Sequence, residues 1–134
     1  MAENLNEPTV EGKMNGSVVV LTLKYDEGAL NNQAERENLP SKVRKKYLEM
    51  VGTRTTPASC VLVIDASEAG TPLNRAIFDL RQEVQKHKGK LFCAQYPKAY
   101  WQGLIASQLL RLPDLSFEAD EQAALSKARA GGTP

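Results

Sequence analysis

The sequence predicts an α/β domain: apolar runs of strand length alternate with stretches of helical periodicity. The run Val18–Leu23 is nearly continuously apolar and Cys60–Ile64 fully so, the pattern of strands covered on both faces. Alternation of this kind implies a mostly parallel mixed sheet of four to five strands with about four helices, joined by right-handed crossovers. A chain of 134 residues accommodates one such domain and not two.

Residues 1–16 are polar, with Pro8, Gly12 and Gly16, and read as a flexible arm or a frayed edge strand. The folded domain is expected over 17–128. Its first central strand is the β-branched Val18–Leu23 run. Tyr25 to Leu39, rich in Asn, Gln and Glu, reads as a long loop or an irregular helical turn. A helix follows with Ser41 as N-cap, Val43, Tyr47, Met50 and Val51 on one stripe, and Gly52 as its stop. The second strand, Cys60–Asp65, ends on an acid. The next helix has Thr71 as N-cap and Pro72 at its first position, buries Ile77, Leu80 and Val84, and carries Lys86, His87 and Lys88 in its last turn before Gly89. Leu91–Ala94 is the third strand. Pro97 opens a helix expected to bury Trp101, Leu104, Ile105 and Leu109, and Pro113 breaks the chain before a short strand at 115–117. Asp120 caps a last helix through Ala128, leaving 129–134 as a flexible tail.

Seventeen basic and sixteen acidic residues leave a net charge of +1, which argues against a nucleic-acid binder. No apolar run approaches the roughly 20 residues that span a bilayer, and the N-terminus lacks the order of a signal peptide, so no membrane insertion and a cytoplasmic location are expected. Cys60 and Cys93 lie inside apolar runs and read as packed thiols; no ligand cluster for a metal is evident. His87, alone of its kind and at the far end of its helix from Asp65, reads as a solvated complement to the helix dipole rather than as a catalytic base. No catalytic constellation and no cofactor motif emerges. The basic run Lys42, Arg44, Lys45, Lys46 reads as a solvated face or a contact for an acidic partner.

In a parallel sheet, ligands and partners meet the loops beyond the carboxyl ends of the strands, here Asp65–Leu73 and Gln95–Ala99. The run DASEAGTP places an acid, two hydroxyls and a glycine before a helix N-terminus, where an anion is favoured. Turn formation plus capping explains the same residues. Trp101 is assigned to the core, whereas Tyr96 and Tyr100 are assigned to a surface contact.

The stretches CVLVIDAS, EVQKHKGKLFCAQ and YPKAYWQGLIASQLLRLPDLSFEADEQAAL, in this order, resemble the STAS domain, the family of bacterial anti-sigma factor antagonists also found as a module of sulfate transporters. The resemblance covers roughly Ser17 to Ala128. It implies a non-enzymatic regulatory module, without cofactor, that docks an anti-sigma factor or kinase-like protein, with a homodimer as a further option. It also implies a phosphoacceptor at the start of the helix after the central strand. Antagonists of the family carry an Asp-Ser-Ser-Gly-type run there; this chain has Ala69-Gly70-Thr71-Pro72-Leu73, so Thr71 is the nearest hydroxyl and Ser67 the next. The docking residues so implied are Asp65, Glu68, Gly70, Asn74, Arg75, Tyr96 and Tyr100. The alternative is a sensor of a nucleotide or anionic metabolite, held in the same strand-end crevice by Asp65, Ser67 and the helix N-terminus.

Overall fold

The structure is a computed structural model and describes residues 8–25, 28–29, 33–53, 58–66 and 70–131. Its five strands are β1 (Thr9–Asn15), β2 (Val18–Lys24), β3 (Cys60–Asp65), β4 (Leu91–Ala94) and β5 (Leu115–Glu118). Four helices accompany them: α1 (Gln33–Val51), α2 (Thr71–Lys86), α3 (Trp101–Ser107) and α4 (Glu121–Gly131). The chain is α/β, with a mostly parallel mixed sheet in the order β1-β2-β3-β4-β5. Only β1 runs antiparallel to its neighbour.

β1 and β2 form a hairpin in which Asn15 pairs with Val18. Gly16, at φ 64, takes the first central position of the two-residue turn, the place a type II′ turn reserves for glycine. The open choice for residues 1–16 is thereby settled for 9–15, which form an edge strand; residues 1–7 lie outside the described residues.

From β2 onward each strand lies beside its predecessor, so crossovers of one hand put α1, α2 and α3 on the same face. There Val19, Leu21 and Leu23 of β2, Cys60, Leu62 and Ile64 of β3, and Leu91 and Cys93 of β4 pack under Leu39, Val43 and Tyr47 of α1 and Leu73, Ile77, Leu80 and Val84 of α2. α4 follows the last strand and returns across the other face, where Ala124, Leu125 and Ala128 cover Val18, Val20, Val61, Val63, Phe92 and Ala94. Both faces are therefore buried, which is why β2, β3 and β4 read as nearly unbroken apolar runs. The Asp120 cap is made: its Oδ1 accepts the Ala123 backbone N–H at 2.8 Å. α4 runs on to Gly131, so residues 129–131 are helical and not part of a loose tail.

Several boundaries differ from the sequence reading. α1 begins at Gln33, eight residues before Ser41, and encloses Pro40; Leu39, fully buried, anchors these roughly two extra turns against the core. Gln33 to Glu37 are good helix formers, and the burial of Leu39 offsets the unfavourable Asn38 and Pro40. At the head of α2, Gly70 holds the cap position with no side-chain hydrogen bond, and Thr71 and Pro72 are the first helical residues. At its tail the left-handed residue is Lys88, at φ 59, not Gly89. Lys88 N–H donates to the Gln85 carbonyl and Gly89 N–H to the Val84 carbonyl, which is a Schellman closure. Gly89 serves another end: a β-carbon there would stand 2.4 Å from the Ala58 carbonyl oxygen.

Candidate functional site

The first two turns of α2 set out the site. Thr71, Asn74, Arg75, Phe78 and Asp79 follow the i, i+3, i+4, i+7, i+8 spacing that aligns one helix face. With Leu109 they line an open groove of about 390 Å³. A second groove of about 250 Å³ lies on the other side of the helix start, between α1 and α2, lined by Gln33, Arg36 and Glu37 with Thr71, Pro72 and Arg75. Thr71 and Arg75 border both, and both are exposed.

The floor is rigid. Tyr96, at 4% exposure, donates its hydroxyl to Asn74 Oδ1 at 2.5 Å, which fixes the amide and joins α2 to the segment after β4. The Tyr96 ring stands edge-on to Phe117. Burial pushes the Tyr96 phenol up to about 12, against the lowering effect of the Asn74 bond. Tyr96 is thus a supporting residue beneath the groove, contrary to its assignment as a surface contact. Asn74 also lies close to α3 at Gly103.

Phe78 in the groove, Tyr100 and Trp101 at the start of α3 and Leu110 beyond it are large hydrophobic side chains left exposed, each at 37–38%. Tyr100, at the end of a short 3-10 turn (Lys98–Tyr100), lies on the surface as the sequence suggests. Trp101 does not join the core. Leu104 and Leu109 fill the positions over the sheet instead, Leu109 from a separate 3-10 turn (Leu109–Arg111) rather than from α3. The side chain of Ile105 is outside the described residues.

The structure brings the predicted phosphoacceptor Thr71 and the predicted docking residues Asn74 and Arg75 onto one groove and places Tyr96 below it. Asp65, at the end of β3, is exposed, and its carbonyl accepts the Tyr25 N–H at 3.3 Å. Gly70 is half-buried at the head of α2, while Ser67 and Glu68 fall outside the described residues. Sequence reasoning passes over Phe78 and Asp79, although the helical spacing from Thr71 points to both. Phe78, lying off the Ile77/Leu80/Val84 stripe, is the signal.

His87 is half-buried rather than solvated. Its Nδ1 sits 3.0 Å from the Glu83 carbonyl oxygen and its ring meets Tyr47 edge-on at 5.5 Å. The Tyr47 hydroxyl in turn donates to the Ala58 carbonyl at 2.6 Å. In the basic run, Lys42 donates to the Pro8 carbonyl and pairs with Glu35, and Lys46 pairs with Glu49. Cys60 and Cys93 are free, fully buried thiols whose burial raises their pKa. Among the described residues no group of His, Cys, Asp or Glu is placed to hold a metal ion, and no helix is long and apolar enough to cross a membrane. No model of a known protein family matches the chain, and no curated protein resembles it significantly.

Proposed function

We propose that this chain is a non-enzymatic regulatory module of STAS type that docks a kinase-like or sigma-regulatory protein through the α2 groove and the aromatic rim beside it. One observation carries the reading. The face of α2 that is not needed for the core presents Phe78 beside Asn74 and Arg75, with Leu109 from beyond α3 and the exposed Tyr100 and Trp101 at the α3 start. Aromatic and arginine side chains on a rigid support are the usual anchors of a protein interface.

Thr71 is the preferred phosphoacceptor in this reading. It is exposed, it opens a 16-residue helix, and Arg75 follows one turn later on the same face. Phosphate there would add about two negative charges between two grooves, favoured by the helix dipole and by Arg75, and would alter what the surface accepts.

Affinity capture of the tagged chain from its own lysate, with mass spectrometry of partners and of phosphate on Ser67 and Thr71, tests the proposal. A partner held by the native chain should be lost with Phe78→Ala or Arg75→Glu and kept with Lys86→Ala, and Thr71→Glu should change its recovery. Equal recovery by all variants would exclude the groove as the dock. The groove volume also falls within the range of small-ligand sites. A cytoplasmic sensor of a nucleotide or anionic metabolite is the second reading, and a thermal-shift gain with such ligands, abolished by Arg75→Ala, would favour it.

A further inference from the structure

Every strand has a neighbour on both sides except β5 and β1 at the ends of the sheet, and the outer edge of β1 has no strand beside it among the described residues. In a two-residue hairpin closed by Asn15 and Val18, residues 15, 13, 11 and 9 direct their N–H and C=O groups to β2. Val10, Gly12 and Met14 therefore direct theirs outward. A row of free donors and acceptors on a seven-residue strand is a template for another strand.

From this edge we infer that two copies of the chain pair antiparallel through β1, about a twofold axis at Gly12, to make one continuous sheet. The sequence TVEGKMN is complementary to itself in that register: Thr9 faces the partner copy's Asn15, Val10 its Met14, and Glu11 its Lys13. The outward N–H and C=O groups of Val10, Gly12 and Met14 then meet their equivalents in about six backbone bonds. Glu11 and Lys13 fall at non-hydrogen-bonded pairs, where facing side chains approach most closely.

Charge selects this register over its neighbours. Moving the axis to Glu11 would place that carboxylate opposite its own copy, and moving it to Lys13 would oppose two ammonium groups. Glu11 and Lys13 are both exposed; Lys13 Nζ lies 3.6 Å from Glu121 Oε2 with most of its surface still open to solvent. On the opposite face Val10 and Met14 pack at the rim of the core. In the dimer they would continue that rim across the axis. Gly12 lies under Met50, which a β-carbon would meet at 2.9 Å, so the strand stays low at the axis itself.

Sedimentation of the full chain over a concentration series reaching the high micromolar range tests the pairing. A monomer–dimer equilibrium is expected. Glu11→Lys and Lys13→Glu should each weaken self-association roughly ten-fold, because each sets two like-charged pairs across the axis. The decisive arm is the mixture of these two variants. One then carries only lysines at 11 and 13 and the other only glutamates, so a heterodimer should form with the affinity of the native chain. A native chain that remains monomeric throughout, whether its edge is covered by residues 1–7 or left bare, would overturn the proposal. So would a dimer indifferent to both substitutions, or a mixture that fails to associate.

Discussion

Gly89 has no room for a side chain: the Ala58 carbonyl and the Ser59 nitrogen would lie 2.4 Å and 2.7 Å from a β-carbon placed there. These are backbone atoms held in place, since Ala58 N–H donates to His87 and Ser59 Oγ accepts the Lys90 N–H. Gly89→Ala is expected to destabilise by about 3 kcal/mol, as overpacking against an immobile backbone does. Lys88 presents the converse case. It holds the left-handed position of the Schellman closure, which costs a non-glycine residue about 1 kcal/mol, and it is exposed. Lys88→Gly should therefore stabilise by up to about 1 kcal/mol. Urea unfolding of the two variants checks the pair, and effects of the same sign would contradict this division of roles.

At the scale of elements, α1 is where physical terms compete most openly. Pro40 is the eighth residue of a helix that continues to Val51, so it withholds one N–H from the ladder and crowds the preceding turn. Leu39, Val43, Tyr47 and Val51, all buried, hold the helix in place across it. Pro40→Ala should stabilise the protein by about 1 kcal/mol or more and raise helical ellipticity. Were the helix to start at Ser41, the same change would be neutral or slightly destabilising, since proline ahead of a cap restricts the unfolded chain. The strands and α2 were legible because their cause is local in sequence: two-sided burial writes continuous apolar runs, and Ile77, Leu80 and Val84 repeat at helical spacing. The start of α1 was not, because Asn38 and Pro40 interrupt the good helix formers Gln33 to Glu37, which carry no apolar stripe, while a single leucine carries the tertiary signal. The site divides in the same way. Thr71, Asn74 and Arg75 follow from their place at a strand's carboxyl end, but the exchange of Trp101 to the surface and Tyr96 to the interior depends on which aromatic meets Asn74 and Phe117.

At the scale of the whole molecule, both thiols and the phenols of Tyr47 and Tyr96 are buried in one layer, on the face of the sheet covered by α1 and α2. Cys60 and Cys93 are fully enclosed there, and burial holds both thiols well above their ordinary range. Tyr47 is raised likewise, by burial first and then by the Cys60 and Glu83 charges, and Tyr96 is raised to about 12. In the unfolded chain the thiols lose their protons near pH ~8.5 and the phenols near ~10. Above those values the unfolded state binds fewer protons than the native one, so stability falls as pH rises. Below about pH 8 these four groups are protonated in both states and the curve should be flat with respect to them. A decline should begin near ~8.5 from the thiols and steepen above ~10 from the phenols. Chemical denaturation under reducing conditions from pH 7 to 11 measures it. The double variant Cys60→Ala, Cys93→Ala separates the contributions. It should be less stable at neutral pH by the cavities it opens, roughly 1–2 kcal/mol for each thiol lost, yet it should keep its remaining stability up to about pH 10. If the native chain and the double variant declined in parallel from ~8.5, the thiols would be titrating alike in both states, and the enclosed layer would be open to water.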